Sequence, residues 1–115
     1  MHAFDVLGDP VRRRILELLS EDDLAAGRVV EVVGDEFGIS QPAVSQHLRV
    51  LRESGFAHVR PDGARRIYSL DREAFDPVQA WLSDLAASWD QRLDALGTEI
   101  ARGKRTRRRA VEETR

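Results

Sequence analysis

Ile39-Ser-Gln-Pro-Ala-Val-Ser-Gln-His-Leu-Arg-Val-Leu-Arg-Glu-Ser-Gly-Phe56 is the stretch that decides the fold. Val44, Leu48 and Leu51 recur at i, i+4 and i+7, the spacing of one inward face of an α-helix. Ser40 is placed to cap that helix with its hydroxyl, Pro42 fits the first turn, where no amide donor is needed, and Gly55 stops it. Ile39 and Val44 are spaced to close a hydrophobic staple. The residues left outside are Gln41, Pro42, Ser45, Gln46 and Arg49, short polar groups where a merely solvated face carries Glu and Lys. Such groups match the edges of double-stranded DNA. Gln bonds bidentately to adenine, Ser to bases or phosphate and Arg to guanine or phosphate, and Pro42 offers apolar contact to a thymine methyl.

Toward the N-terminus, Gly38 is placed to supply the left-handed residue that closes a preceding helix. Val29, Val30, Val32, Val33 and Phe37 mark that helix as a third, shorter one; its valines and Gly34 are poor helix formers, so tertiary packing must hold it. Glu21 to Arg28, containing Gly27, reads as a polar turn. Before it, Asp9 caps a second helix with Pro10 in its first turn and an apolar stripe of Val11, Ile15, Leu18 and Leu19 through Ser20. Ala3, Phe4 and Leu7 form a short first helix that Gly8 ends. Arg12, Arg13 and Arg14 point three ways from the second helix, so at most two can face a nucleic acid, others pairing with Glu17 or solvent.

Toward the C-terminus, two β-leaning runs, Phe56 to Pro61 and Ala64 to Leu70, flank Asp62-Gly63, a hairpin signal that places Arg60, Arg65 and Arg66 near the turn. After Pro77 a long helix is expected to about Gly103, with Val78, Trp81, Leu82, Leu85, Trp89, Leu93, Leu96 and Ile100 at spacings of three and four. Three short helices and a hairpin cannot cover so long a stripe, and part of it is expected to pack against a second copy of the chain. Residues 102–115 are poor in apolar groups and crowded with like charge, so a frayed basic tail is expected there. Residues 1–101 then make one domain.

Composition agrees with this scale: 115 residues, 42% of them hydrophobic, suit one modest core. The chain has no Cys, which excludes disulfides, a Cys zinc site, thiol catalysis and a thiol-based metal sensor. Met1 runs into an amphipathic pattern without a basic n-region and long apolar core, so no signal peptide is expected. No apolar run approaches the roughly 18 residues of a membrane span; a cytoplasmic protein without a membrane partner is expected. The net charge of -2 hides a segregation. Residues 41–66 hold five Arg against Glu53 and Asp62, residues 102–115 hold seven basic groups against Glu112 and Glu113, and the rest is acidic. A basic surface on an acidic body attracts a polyanion through its local potential.

Helix, tight turn, helix and basic hairpin is the order of a winged helix-turn-helix, a mainly α fold with a small β-hairpin. Three stretches resemble the ArsR-type (arsenical-resistance repressor-like) winged-helix regulators: Leu7-Gly-Asp-Pro-Val-Arg-Arg-Arg-Ile-Leu16, Ile39 to Phe56 as quoted, and Gly63-Ala-Arg-Arg-Ile-Tyr-Ser-Leu70. The resemblance covers roughly residues 3 to 101. It implies a homodimer, joined through its first and last helices, that places two recognition helices in successive major grooves and represses transcription. By position, Gln41, Pro42, Ser45 and Gln46 are then base-proximal, Arg49 contacts phosphate or guanine, Arg65 and Arg66, with Arg60 beside them, belong to the wing, and Phe4, Leu7, Trp81, Leu85, Trp89 and Leu96 belong to the dimer interface. Metal-sensing members carry Cys on the helix before the recognition helix, or Asp and His pairs on the last helix. Here Val29 to Phe37 has no thiol and the last helix offers Asp84, Asp90, Asp94 and Glu99 without His, so the chain resembles the metal-independent branch, with no metal and no cofactor expected.

Other uses of these residues are weaker. Ser45 and His47, two apart on a helix, point different ways and make no catalytic triad, so no enzyme is expected. Trp81 and Trp89 fit an apolar stripe better than a ligand cage. The alternative functions are a winged-helix protein-interaction module, which Arg60, Arg65 and Arg66 argue against, and a ligand-switched regulator sharing the DNA site. No polar constellation identifies an effector.

Overall fold

The computed structural model describes residues 2–103. The expected basic tail lies outside the described residues from 104 onward. The first helix, α1 (Ala3–Leu7), meets α2 (Pro10–Glu21) at a corner made by Gly8 and Asp9. Asp9 is extended, and its carboxylate accepts the amides of Val11 at 2.8 Å and Arg12 at 3.1 Å. Two arginines fold back over the same corner: Arg12 donates to the carbonyls of Val6 and Asp5, both at 2.9 Å, and Arg13 to that of Leu7 at 2.7 Å. The carbonyls of Val6 and Leu7 are ones that so short a helix leaves without an intrahelical partner, while that of Asp5 also accepts the Gly8 amide at 3.3 Å. Arg14 instead forks onto Glu36 at 2.8 and 3.0 Å and reaches Glu17 at 3.4 Å. Its hydrogen bonds hold the Glu36 carboxyl below the usual carboxylate range.

Four helices and a hairpin share one core. α2 buries Val11, Ile15, Leu16 and Leu19, whereas its sequence stripe names Leu18 in place of Leu16. The difference arises because α2 is covered from several sides, touching α1, the two helices that follow and the sheet. The region expected as a polar turn holds instead a two-residue strand, β1 (Leu24–Ala25), and the first turn of α3 (Ala26–Phe37), so Gly27 and Arg28 are helical. α3 is accordingly as long as α2, at 12 residues each, rather than shorter. It buries Val29 and Val33 and ends where Gly38 turns left-handed at φ 63°.

α4 (Gln41–Glu53) follows at once, its start capped by Ser40, which accepts the Ala43 amide at 3.3 Å. Val44, Leu48 and Leu51 are 0%, 2% and 0% exposed, against α2, α3 and the strand that follows. That strand, β2 (Ala57–Asp62), pairs antiparallel with β3 (Arg65–Leu70), and β1 covers the other edge of β3 through Leu24↔Tyr68 and Ala25↔Ile67. Because Asp62 faces Arg65, the central turn residues are Gly63 and Ala64, one position later than the Asp62-Gly63 signal implies. Gly63 takes φ 62°, as the first residue of a tight hairpin turn requires. Pro61 is tolerated because β2 is an edge strand.

Phe56 and Phe75 close the core with an edge-on contact, ring centroids 5.0 Å apart, before α5 (Asp76–Gly103) begins. Taken by itself, the part of α5 from Gln79 onward leaves Leu82, Leu85, Trp89, Leu93 and Leu96 between 41% and 61% exposed. No helix among the described residues is long and apolar enough to cross a membrane.

Burial works to raise the Asp9 carboxyl, but the Arg12 amide, the attraction of the neighbouring His47 ring, the Val11 amide and the Arg12 guanidinium outweigh it and hold the group below its ordinary 3.8. The sign follows from linkage: the stabilisation is complete above 3.8 and is lost as pH falls through the lower folded value. Asp9→Ala is expected to cost about 1 kcal/mol in urea unfolding at pH 7, and Asp9→Asn less, because the amide oxygen still caps α2. Asp9→Asn should converge with the wild type in strong acid, where the protonated carboxyl caps as the amide does, while Asp9→Ala stays less stable; an Asp9→Ala protein as stable as wild type at pH 7 would contradict the cap.

Candidate nucleic-acid interface

Because one side of α4 is committed to the core, the residues that reach solvent are fixed: Gln41, Pro42, Ser45, Gln46, Arg49 and Arg52 are all exposed. Gln41, Ser45 and Gln46 make no side-chain hydrogen bond to another described residue, so their amide and hydroxyl groups face solvent unspent. His47, one-fifth exposed, sits at the boundary. Its Nδ1 lies 3.5 Å from the Arg12 guanidinium and 4.0 Å from the Asp9 carboxylate, so it is a packed residue joining α4 to the corner of α1 and α2.

The hairpin divides the arginines that the sequence groups together. Side chains opposite one another share a face, and neighbours alternate. Arg60 opposes Ile67 and Asp62 opposes Arg65, so Arg60 and Arg65 lie on one face, while Arg66, opposite Pro61, shares the other with Tyr68. The first two are tied to carboxylates, Arg60 to Asp23 at 3.0 Å and Arg65 to Asp62 at 3.1 Å. They line a hollow of about 500 Å³ with Asp22, Asp23, Asp62 and Arg28, where the charges are mixed. Arg66 has no ion pair among the described residues. It turns toward α4, where a cleft of about 260 Å³ is lined by Ala26, Ser45, Leu48, Arg49, Arg52, Arg66 and Tyr68.

Thus the structure gathers Ser45, Arg49 and Arg66, keeps Gln41, Pro42 and Gln46 on the same helix near its start, and sets Arg60 and Arg65 on the far side of the hairpin. Arg52 joins the cleft and is absent from the sequence-derived set. Its spacing, three from Arg49 and seven from Ser45, is the signal that places it there. Arg49 is paired with Glu53 at 3.1 Å, both side chains more than half exposed. Such a pair contributes little in water, so the guanidinium can exchange its carboxylate for a phosphate at small cost. Among the described residues no three His, Asp or Glu side chains converge as metal ligands would.

Residues 7–60 match the helix-turn-helix domain family. Over 91 residues the chain is 37% identical to the HTH-type transcriptional regulator Rv2034 of Mycobacterium tuberculosis, covering 79% of this chain and 78% of that protein. It is 30% identical over 92 residues to the transcriptional repressor SdpR of Bacillus subtilis, covering 80% and 98%. A solved ArsR family transcriptional regulator superposes with a TM-score of 0.66 at 27% identity, over 76% of this chain and 92% of that one. The chain belongs to the ArsR family of winged helix-turn-helix transcriptional regulators. In ArsR terms, α3 and α4 are the helix-turn-helix and the hairpin of β2 and β3 is the wing. The domain match ends at Arg60, so Arg65, Arg66 and all of α5 lie beyond it.

Proposed function

We propose that this ArsR-family chain is a sequence-specific DNA-binding repressor that acts as a homodimer on a palindromic operator, its own promoter among its targets. The observation that carries this is the outward face of α4. Gln41, Ser45 and Gln46 spend no side-chain hydrogen bond within the described residues, and burial of Val44, Leu48 and Leu51 holds them outward. A rigid helix presenting unspent amides and a hydroxyl reads base edges in the major groove, while arginines around it neutralise phosphates and set the register. Arg49 and Arg66 do so from the cleft side, Arg60 and Arg65 from the opposite wing face after releasing their carboxylates. A bound dimer occludes polymerase.

The dimer is supported by α5. Leu82, Leu85, Trp89, Leu93 and Leu96 form an exposed apolar stripe longer than a monomeric protein keeps open, and Phe4 and Leu7 of α1 and Trp81 are assigned to the same interface. A two-fold dimer carries two copies of α4, so half-sites should repeat about 34 Å apart. The response is metal-independent in this reading, because the chain holds no Cys and α5 no His. The domain of residues 1–101 then combines DNA binding with dimerisation, acting in the cytoplasm.

Fluorescence anisotropy on duplexes from the chain's own upstream region, against a scrambled duplex at about 0.15 M salt, tests the specificity. Wild type should prefer one upstream duplex by about a thousandfold, and Gln46→Ala should lose about 1–3 kcal/mol at one base pair only. Equal losses on operator and scrambled DNA would contradict base reading by Gln46. In sedimentation at micromolar concentration the wild type should be a dimer and Leu93→Glu a monomer with half-site affinity; a monomeric wild type would overturn the dimer.

A further inference from the structure

We propose that the cleft between α4 and β3 is a binding site for one phosphodiester of the DNA backbone, with Arg52 and Arg66 as its grips. The assignment rests on the DNA-binding function proposed above and adds Arg52, an exposed residue of α4 to which that function gives no role. Three arginines, Arg49, Arg52 and Arg66, line a cleft of about 260 Å³ whose lining includes no Asp or Glu. Arg49 has Glu53 as a neighbour, whereas the side chains of Arg52 and Arg66 make no hydrogen bond or ion pair with any described residue. By contrast, Arg14, Arg28, Arg60 and Arg65 each have a carboxylate at 3.4 Å or less. Like charges gathered without a counter-charge repel one another, and the arrangement becomes favourable when an anion enters.

The identity of the anion follows from the place. A major groove is walled by its two sugar-phosphate strands, so when α4 occupies the groove a basic cleft along its flank faces one of them. The cleft lies between α4 and the wing, floored by Leu48 and Tyr68, with Ser45 as a neutral donor at its α4 side. Guanidinium forks suit phosphate oxygens and carry no sequence information, so the site sets register and affinity while Gln41 and Gln46 read bases.

The test measures duplex affinity of the full chain against salt concentration, on the preferred duplex and on a scrambled one. Each lost phosphate contact lowers the slope of log K against log salt by about 0.9. Arg52→Ala is expected to lower the slope by that amount on both duplexes and to weaken binding to both equally, and Arg52→Lys to restore the slope. Arg72→Ala, an exposed arginine outside the cleft, should leave the slope unchanged and so exclude an effect of total charge. A thermal melt separates the structural alternative, in which Arg52 only complements the C-terminal end of α4: there Arg52→Ala would lower Tm and leave the slope as it was, overturning the assignment. Saturable binding of inorganic phosphate to the DNA-free chain, lost in Arg52→Ala without a change of slope, would give the cleft to a free anion and overturn it equally. A wild type that binds neither duplex overturns the DNA-binding function itself, an outcome distinct from wild-type binding with an unaltered Arg52→Ala slope, which overturns the cleft alone.

Discussion

Val44, Leu48 and Leu51 are withdrawn almost completely from solvent along one side of α4, and their burial against α2, α3 and β2 fixes the orientation of that helix. Each such side chain contributes about 1.5–3 kcal/mol, whereas the exposed ion pairs around the helix contribute about 0–1 kcal/mol each. Apolar packing therefore decides which way α4 faces, and the charged groups are left free to serve a ligand. Gln41, Ser45, Gln46, Arg49 and Arg52 point outward because their neighbours cannot.

The arginines sort into two kinds under that constraint. Arg12, Arg13 and Arg14 are spent on the fold, the first two on carbonyls at the end of α1 and the third on Glu36. Through His47, Arg12 also connects the α1–α2 corner to α4, so that helix is anchored from its polar flank as well as from its apolar face. The hairpin arginines divide again by strand alternation, which sends Arg66 toward α4 and Arg60 and Arg65 away. A chain of net charge -2 in this way keeps a local basic surface, because most of its carboxylates lie outside that region.

Much of this was legible from local chemistry. The caps at Asp9 and Ser40, the left-handed Gly38, the inward stripe of α4 and the stop at Gly55 are written in residue types that act over one helical turn. What local chemistry does not encode is partnership across the chain. β1 is two residues long and exists because Tyr68 and Ile67 offer a strand edge, so nothing periodic announces it. α3 starts early for the same reason. Leu16 is buried because α2 is covered on several sides, and the one-residue displacement of the hairpin turn reflects the pairing of Asp62 with Arg65. The candidate site divides likewise: the α4 face could be read from spacing, whereas the separation of Arg66 from Arg60 and Arg65, and the arrival of Arg52 beside it, depend on register and packing.

The central claim is that the outward face of α4 meets DNA, and backbone amide shifts on titration with the preferred duplex test it most directly. The account predicts the largest changes across Gln41–Arg49 and Arg65–Tyr68, in the helix and the wing that flank the cleft. Changes confined to α5 beyond Gln79, or to the mixed-charge hollow at Asp22 and Asp23, with α4 undisturbed, would contradict it.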